Sequence, residues 1–351
     1  MRVGMPLAYS GNGFHETVRE LVEYEEVGLD QVYLPEAYTF DAVSQLGFIA
    51  ARTTRLTLAT GILNVFTRTP SLLAMTAAGL DAVSDGRFVL GLGASGPQVI
   101  EGFHGVPYQA PLGRTREVAE ICRQVWRREP VEHRGAHYDV PLSKERGGTG
   151  LGKPLKLINR PVRDRIPMVL AALGPKNVAL AAELFEGWEP IFYFPEEAKA
   201  AFGDALADGT SRRSADLPPL EVVADTHVCV SDDPDEVAAA RDRVRRHLAL
   251  YIGGMGARGA NFYNDLACRY GFEAEAAAVQ DLFLDGRKDE AAAALPDRLV
   301  DGVSLIGSKS DVADRVAAFR ESGVTALNAV PLGADHAARL HDISVLKEVA
   351  S

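Results

Sequence analysis

Short apolar runs alternate along most of the chain with longer stretches whose apolar positions recur at helical spacing. Arg2 to Leu7 is the first run, followed by a glycine-rich turn at Ser10 to Gly13. His15 to Val27 then places Val18, Leu21, Val22 and Val27 near one helical face and stops at Gly28. Gln31 to Leu34 is a second strand, ending at Pro35 and Glu36, and Asp41 can cap a helix through about Ala51. Leu56 to Ile62 is the third strand; Pro70 opens a helix that runs to Asp85 and Gly86; Phe88 to Gly93 is the fourth strand. A helix from Arg114 to Arg127 follows. Pro167 to Leu173 is the fifth strand and Pro175 to Glu186 its helix, then Glu189 to Phe194 the sixth, with a helix from Glu196 to Ala207. Leu220 to Val230 is the seventh strand, and Asp233 and Pro234 start a charged helix to about Tyr251. Ser308 to Ser322 is amphipathic, Thr325 to Val330 is the eighth strand, and Asp335 to Val349 closes the chain.

Strand-then-helix units in this order imply parallel pairing with right-handed crossovers, and eight of them match a closed (β/α)8 TIM barrel. The pattern is broken twice, at about residues 130–165 (glycine- and proline-rich) and 253–301 (alanine-rich and helical). Both read as insertions, before strand five and before strand eight, in a single domain over residues 1–351.

Composition narrows the function classes. With 351 residues, 47% hydrophobic and 24% charged, the chain is an ordinary globular one able to bury a large core. A formal net charge of −11 argues against unspecific binding to nucleic acid or to anionic membranes. Cys122, Cys229 and Cys268 are widely spaced, which suits buried thiols in a reducing compartment. The chain enters a strand at Val3 and has no long apolar span, so a cytoplasmic protein is expected.

Several motifs mislead. Gly91-Leu-Gly93-Ala-Ser-Gly96 spells a dinucleotide fingerprint, but Pro97 follows where a helix should begin. Gly147 to Lys153 looks like a phosphate loop, but Pro154 stands where the magnesium-binding hydroxyl belongs. His133 and His137 have a metal-pair spacing but lie around Gly135, outside any helix, and no metal site is expected.

Barrel chemistry sits where strands end, so Glu36, Thr60 to Asn64, Gly93 to Gln98 and Leu173 to Asn177 are the better candidates. Leu173-Gly174-Pro175-Lys176 is a strand, a glycine and a helix start, where free N–H groups can seat a phosphate. On strand seven, Asp225 and His227 either point into the barrel or are satisfied core groups.

Together, Leu58-Ala-Thr-Gly61-Ile62 with Thr67-Arg-Thr-Pro70, Asp85-Gly-Arg-Phe88 before Leu90-Gly-Leu-Gly93, and Ala171-Ala-Leu-Gly-Pro-Lys176 resemble the luciferase-like monooxygenase superfamily. The stretch from Gly93 through His104 to Tyr108 is most similar to its actinobacterial branch that uses coenzyme F420, a deazaflavin. The resemblance implies a cofactor ring at the C-terminal mouth, backed by a bulge in strand three with a non-prolyl cis peptide, here Gly61–Ile62. It implies cofactor contacts from Thr60, Gly61, Ile62, Gly93, Ala94, Ser95, Gly96, Leu173, Gly174, Pro175 and Lys176. Where the related sugar-phosphate dehydrogenases carry Asp-His, this chain has Glu36-Ala37, and their glutamate after strand four is Ala94-Ser95 or a neighbour, so glucose 6-phosphate is a poor substrate guess.

The expected activity is F420-dependent hydride transfer to or from a small organic substrate. Glu36, Asn64 and His104 are the candidate catalytic groups, handling a proton or orienting the substrate. The alternatives are an FMN-dependent monooxygenase and a non-catalytic flavin-binding protein. Lys153, Lys156, Arg160 and Arg163 are expected to extend a basic groove from Lys176 for the acidic cofactor tail. A homo-oligomer, taken as a homodimer, is also expected.

Overall fold

In the computed structural model, which describes residues 1–8 and 13–351, the apolar runs become parallel strands. The turn expected from Ser10 lies outside the described residues as far as Asn12. The strands are β1 (Arg2–Pro6), β2 (Gln31–Leu34), β3 (Thr57–Thr60), β4 (Phe88–Gly93), β5 (Met168–Ala171), β6 (Gly187–Glu189), β7 (Glu221–Val230) and β8 (Ala326–Pro331). Each pairs in parallel with the next, and β8 pairs with β1 through Val3 and Leu327, so the ring closes as a TIM barrel. Two short strands add to it: Leu63–Asn64 beside β4, and Leu305–Gly307 beside β7.

The surrounding helices are α1 (Phe14–Glu26), α2 (Ala42–Ala50), α3 (Pro70–Val83), α4 (Pro111–Trp126), α5 (Pro175–Leu184), α6 (Pro195–Ser211), α7 (Pro234–Ala249) and α8 (His336–Ala350). Their starts follow local chemistry. Asp41 accepts from Val43 N and Ser44 N, Thr69 accepts from Leu72 N with Pro70 next, and Asp233 accepts from Asp235 N before α7.

The main core lies between helices and strands, with Val32, Leu34, Leu58 and Leu90 facing outward into it. A smaller cluster of Tyr33, Ala59, Val223 and Ala326 fills the lumen. The N-terminal face is tied by arginines. Arg87 donates to the carbonyls of Ala50, Thr53, Leu56 and Ser84, which gives the Asp85-Gly-Arg-Phe88 motif a structural purpose.

Three boundaries depart from the sequence pattern. β3 ends at Thr60 and pairing resumes only at Leu63. β6 occupies Gly187–Glu189, earlier than expected; Ile191 keeps one bridge to Asp225, and Phe192 turns away at φ 55°. Tyr193 and Phe194 pack instead against Phe202 and Tyr270, and an apolar run alone does not separate a strand from such a packed turn. After β4 the chain is not wholly irregular, because Pro97–Ile100 forms a single helical turn.

The first insertion carries an antiparallel hairpin, His133–Arg134 with Asp139–Val140. Glu117 of α4 pins it by accepting from His137 N at 3.1 Å and Tyr138 N at 2.8 Å, with His133 Nε2 at 3.2 Å. The second insertion is helical, with Phe262–Arg269, Glu273–Leu284, Lys288–Ala293 and Asp297–Gly302. Among the described residues no helix is long and apolar enough to cross a membrane.

Candidate active site

All eight strands point their C-terminal ends to one mouth. Its most irregular wall is the gap between β3 and β4. There the Thr60 hydroxyl takes over from the backbone ladder, accepting from Gly91 N at 2.9 Å and donating to Gly91 O at 2.8 Å. This pair of hydrogen bonds needs a very close approach. A Cβ on Gly91 would lie 1.7 Å from the Thr60 carbonyl oxygen, so only glycine fits. Thr60 is therefore buried in the sheet, and its hydroxyl is not free for a ligand. The next bond, Gly61–Ile62, is cis, as the resemblance implied. Tyr33 packs beneath Gly61, and the Ile62 side chain lies over Gly93, where a Cβ would meet it at 3.0 Å.

Asn64 ends this wall. Its Oδ1 accepts from Phe66 N at 3.1 Å and Thr67 N at 3.0 Å, shaping the turn towards α3. Its Nδ2, and the Thr67 hydroxyl, are buried with no partner among the described residues. A buried donor left unpaired beside the bulge suits a ligand carbonyl. Glu36 is differently employed. Its carboxylate takes a bidentate pair from Arg68, with Nη2 to Oε2 at 2.9 Å, and accepts from Ala42 N at 3.0 Å. Glu36 thus braces the turn between β2 and α2 against the loop before α3.

The loop after β4 supplies the next wall. Ser95 adopts a left-handed conformation at φ 56°, and its carbonyl accepts from the Tyr108 hydroxyl at 3.1 Å. Gly96 caps the turn that starts at Pro97. His104 is held by its backbone N–H to Val99 O, and its ring Nε2 is buried without a partner among the described residues. Phe103 lies edge-on to His104 and 6.1 Å from Tyr38 of the loop after β2, so exposed aromatic rings rim this side.

Beyond β5, Leu173 and Gly174 are half-buried and Pro175 and Lys176 exposed, with Gly174 as the N-cap of α5 and no side chain capping it. The open N–H groups of that helix start are available to an anion. Lys176 also lines a groove with Arg116, which pairs with Glu183, and Arg212, which is shared between Glu183 and Asp208. A residue missed in the sequence enters here. Arg269 of the second insertion donates to Leu173 O at 2.9 Å and to Ala201 O at 3.0 Å, fixing the turn between β5 and α5. Nothing in the alanine-rich pattern of that insertion marked it.

The expected basic groove does not form as expected. Residues just before a parallel strand enter at its N-terminal face. Arg163 accordingly donates to Phe88 O at 2.6 Å and pairs with buried Asp81, and Arg160 lies with Arg127 and Arg128 at that same end, away from Lys176. Lys153 and Lys156 are exposed.

On β7 the open question of direction resolves inward. Asp225 is half-buried in the lumen and bonds to Asn328 of β8 at 2.6 Å. His227 is buried, its Nε2 3.0 Å from His247 Nδ1 of α7, and burial pushes the pair down to about 3 and about 4.

Residues 1–326 match the luciferase-like monooxygenase family. A Mycobacterium tuberculosis protein, whose assignment as a coenzyme F420-dependent oxidoreductase is itself provisional, is 44% identical over 93% of both chains. The 5,10-methylenetetrahydromethanopterin reductase of Archaeoglobus fulgidus is 28% identical over 89% of this chain and 88% of its own. The fold superposes on the coenzyme F420-dependent tetrahydromethanopterin reductase of Methanopyrus kandleri with a TM-score of 0.79, covering 98% of this chain and 96% of that one at 21% identity. The match over nearly the whole length, and the bulged mouth it shares its motifs with, make this chain a member of the luciferase-like monooxygenase family.

Proposed function

We propose that the protein is a coenzyme F420-dependent oxidoreductase that moves a hydride between the deazaflavin and a small organic substrate. The observation that carries this reading is the 44% identity to the mycobacterial oxidoreductase over 93% of the chain. The mouth fits the cofactor in three respects: an unpaired buried donor at Asn64, glycine backbone at Gly61 and Gly93, and an uncapped helix start at Gly174. When bound, the deazaflavin supplies two-electron hydride chemistry. The chain's own residues bind and orient. Gly61, Ile62, Gly93 and Ala94 would form the backbone bed of the ring, and Asn64 Nδ2 would donate to it. Ser95 and Gly96, with the α5 start and Lys176, would take the phosphate. The rim rings of Tyr38 and Phe103 would shed water from the substrate.

A titration with F420 and with FMN, followed by fluorescence quenching, tests the reading. F420 should bind at least ~10 times more tightly, about 1.4 kcal/mol. Equal or tighter FMN binding would assign the protein to the oxygen-activating monooxygenases. Lys176→Ala should weaken F420 binding by about 1.5 kcal/mol, the low end for a charge-assisted hydrogen bond because the side chain is exposed. Unchanged affinity would make Lys176 a plain helix-start lysine.

The reading includes a homodimer. What supports it is the outer face of α3, where Leu72, Met75 and Val83 are 46%, 52% and 60% exposed.

A further inference from the structure

Glu189 ends β6, Asp225 lies on β7 and Asn328 on β8, across the ring from the β3–β4 bulge. Register followed around the tilted strands puts Asp225 level with Gly61. All three side chains point into the lumen beneath the mouth. Glu189 is 5% and Asn328 2% exposed, while Asp225 keeps partial exposure. Asn328 Nδ2 donates to Glu189 Oε1 at 3.2 Å and to Asp225 Oδ1 at 2.6 Å. One amide nitrogen thus spends both hydrogens on two carboxyl groups.

Among the described residues no lysine, arginine or histidine pairs with either acid. The other groups facing the cluster do not neutralise it. Tyr33 of β2 donates to Gln31, Arg2 of β1 is held by Glu221 at the foot of β7, and His227, two residues along β7, is kept neutral by burial. Glu189 Oε2 and Asn328 Oδ1 are buried acceptors with no partner among the described residues. Two acids bridged by one donor, with unmet acceptors and no counter-charge, fit a single retained proton.

We infer that Glu189 and Asp225, tied together by the Asn328 amide, retain one proton between them, and that Asp225 is the catalytic residue that exchanges a proton with a substrate bearing a polarised C=O or C=N bond. The inference rests on the oxidoreductase reading above. Burial raises both carboxyl groups, so the pair keeps a proton at neutral pH. In the reducing direction the substrate carbon gains hydride, the π pair moves to the heteroatom, and that atom takes the proton from Asp225. A C–H and an O–H or N–H bond form, the acid pair becomes dianionic, and solvent at the mouth returns its proton. Oxidation reverses each step. The position fits the reading above: with the ring on the bulge, Asp225 would face it across the lumen.

Infrared spectra of the cofactor-free protein near pH 6 and near pH 9 test the shared proton directly. A protonated carboxylic acid band should be present at the lower pH and shifted in frequency in Asp225→Asn and in Glu189→Gln. With reduced F420 and a panel of aldehydes, ketones and imines as probes, Asp225→Asn should lose about a hundredfold in kcat/KM. Its F420 affinity should stay within about twofold of the parent protein's. The inference is overturned by a missing acid band in the parent protein, by an Asp225→Asn variant of undiminished rate, or by a protein that binds F420 yet reduces none of the probes. Loss of F420 binding by the parent protein would instead overturn the oxidoreductase reading. If Asp225→Asn does not fold, Glu189→Gln and the parent spectrum decide the matter.

Discussion

At the scale of single residues, side chains that make two bonds at once hold the mouth together. Thr60→Val keeps the shape but removes both bonds to Gly91, leaving a buried N–H and C=O unpaired. A loss of about 2–6 kcal/mol is expected in urea melts, since each orphaned group costs about 1–3 kcal/mol. Arg68→Ala strands Glu36, whose side chain is only 9% exposed, and should cost about 3 kcal/mol. The buried histidines give a pH signature. Above pH ~6.5 both are neutral whether folded or not, and their contribution is present in full. As pH falls from there towards 4, the unfolded chain takes up protons that the native pair refuses, so stability is lost, by up to ~1.4 kcal/mol per pH unit for each group. His247→Phe should flatten that slope between about pH 7 and about pH 5. Asp225 and Glu189 act with the opposite sign, since their raised folded values favour the native state at acid pH.

At the scale of elements, the sequence showed most of the barrel, because parallel strands and capped helices leave strong local marks such as Asp41, Thr69-Pro70 and Asp233-Pro234. The bulge at Gly61 and the turn at Gly174 were legible only because several short motifs occurred together; alone, each is a common βα turn. Glu189 and Asn328 were not legible. Each lies in a strand among apolar neighbours, and what matters is that three separate strands bring them to one level. Arg269 was hidden for the same reason, acting on Leu173 from a distant helix. Glu36 was recognised as a strand-end acid, but its commitment to Arg68 depends on a loop fold that spacing does not encode. The closeness of β4 to Thr60 gives this scale its prediction. Gly91→Ala should not be recovered as a folded protein, because the clash is with backbone that cannot move aside without opening the β3–β4 pairing.

At the scale of the whole molecule, the exposed face of α3 gives the dimer proposal a direct check. Met75→Lys should shift the protein from dimer to monomer in sedimentation velocity while leaving the thermal transition of each protomer in place; an unmoved dimer would place the interface elsewhere. The closed ring has a further consequence, for the order in which the chain can fold. Val3 gains its outer neighbour only when Leu327, near the other end of the sequence, arrives. Pairings this distant are slow to form, and a nascent chain lacking its last strand keeps β1 and β7 as bare edges. Pulse-labelled hydrogen exchange during refolding should therefore show the β2–β3 amides protected first, and those of β1, β7 and β8 together in one late phase. A ribosome-stalled chain ending before β8 should be a client for chaperones, whereas the completed, released chain should not.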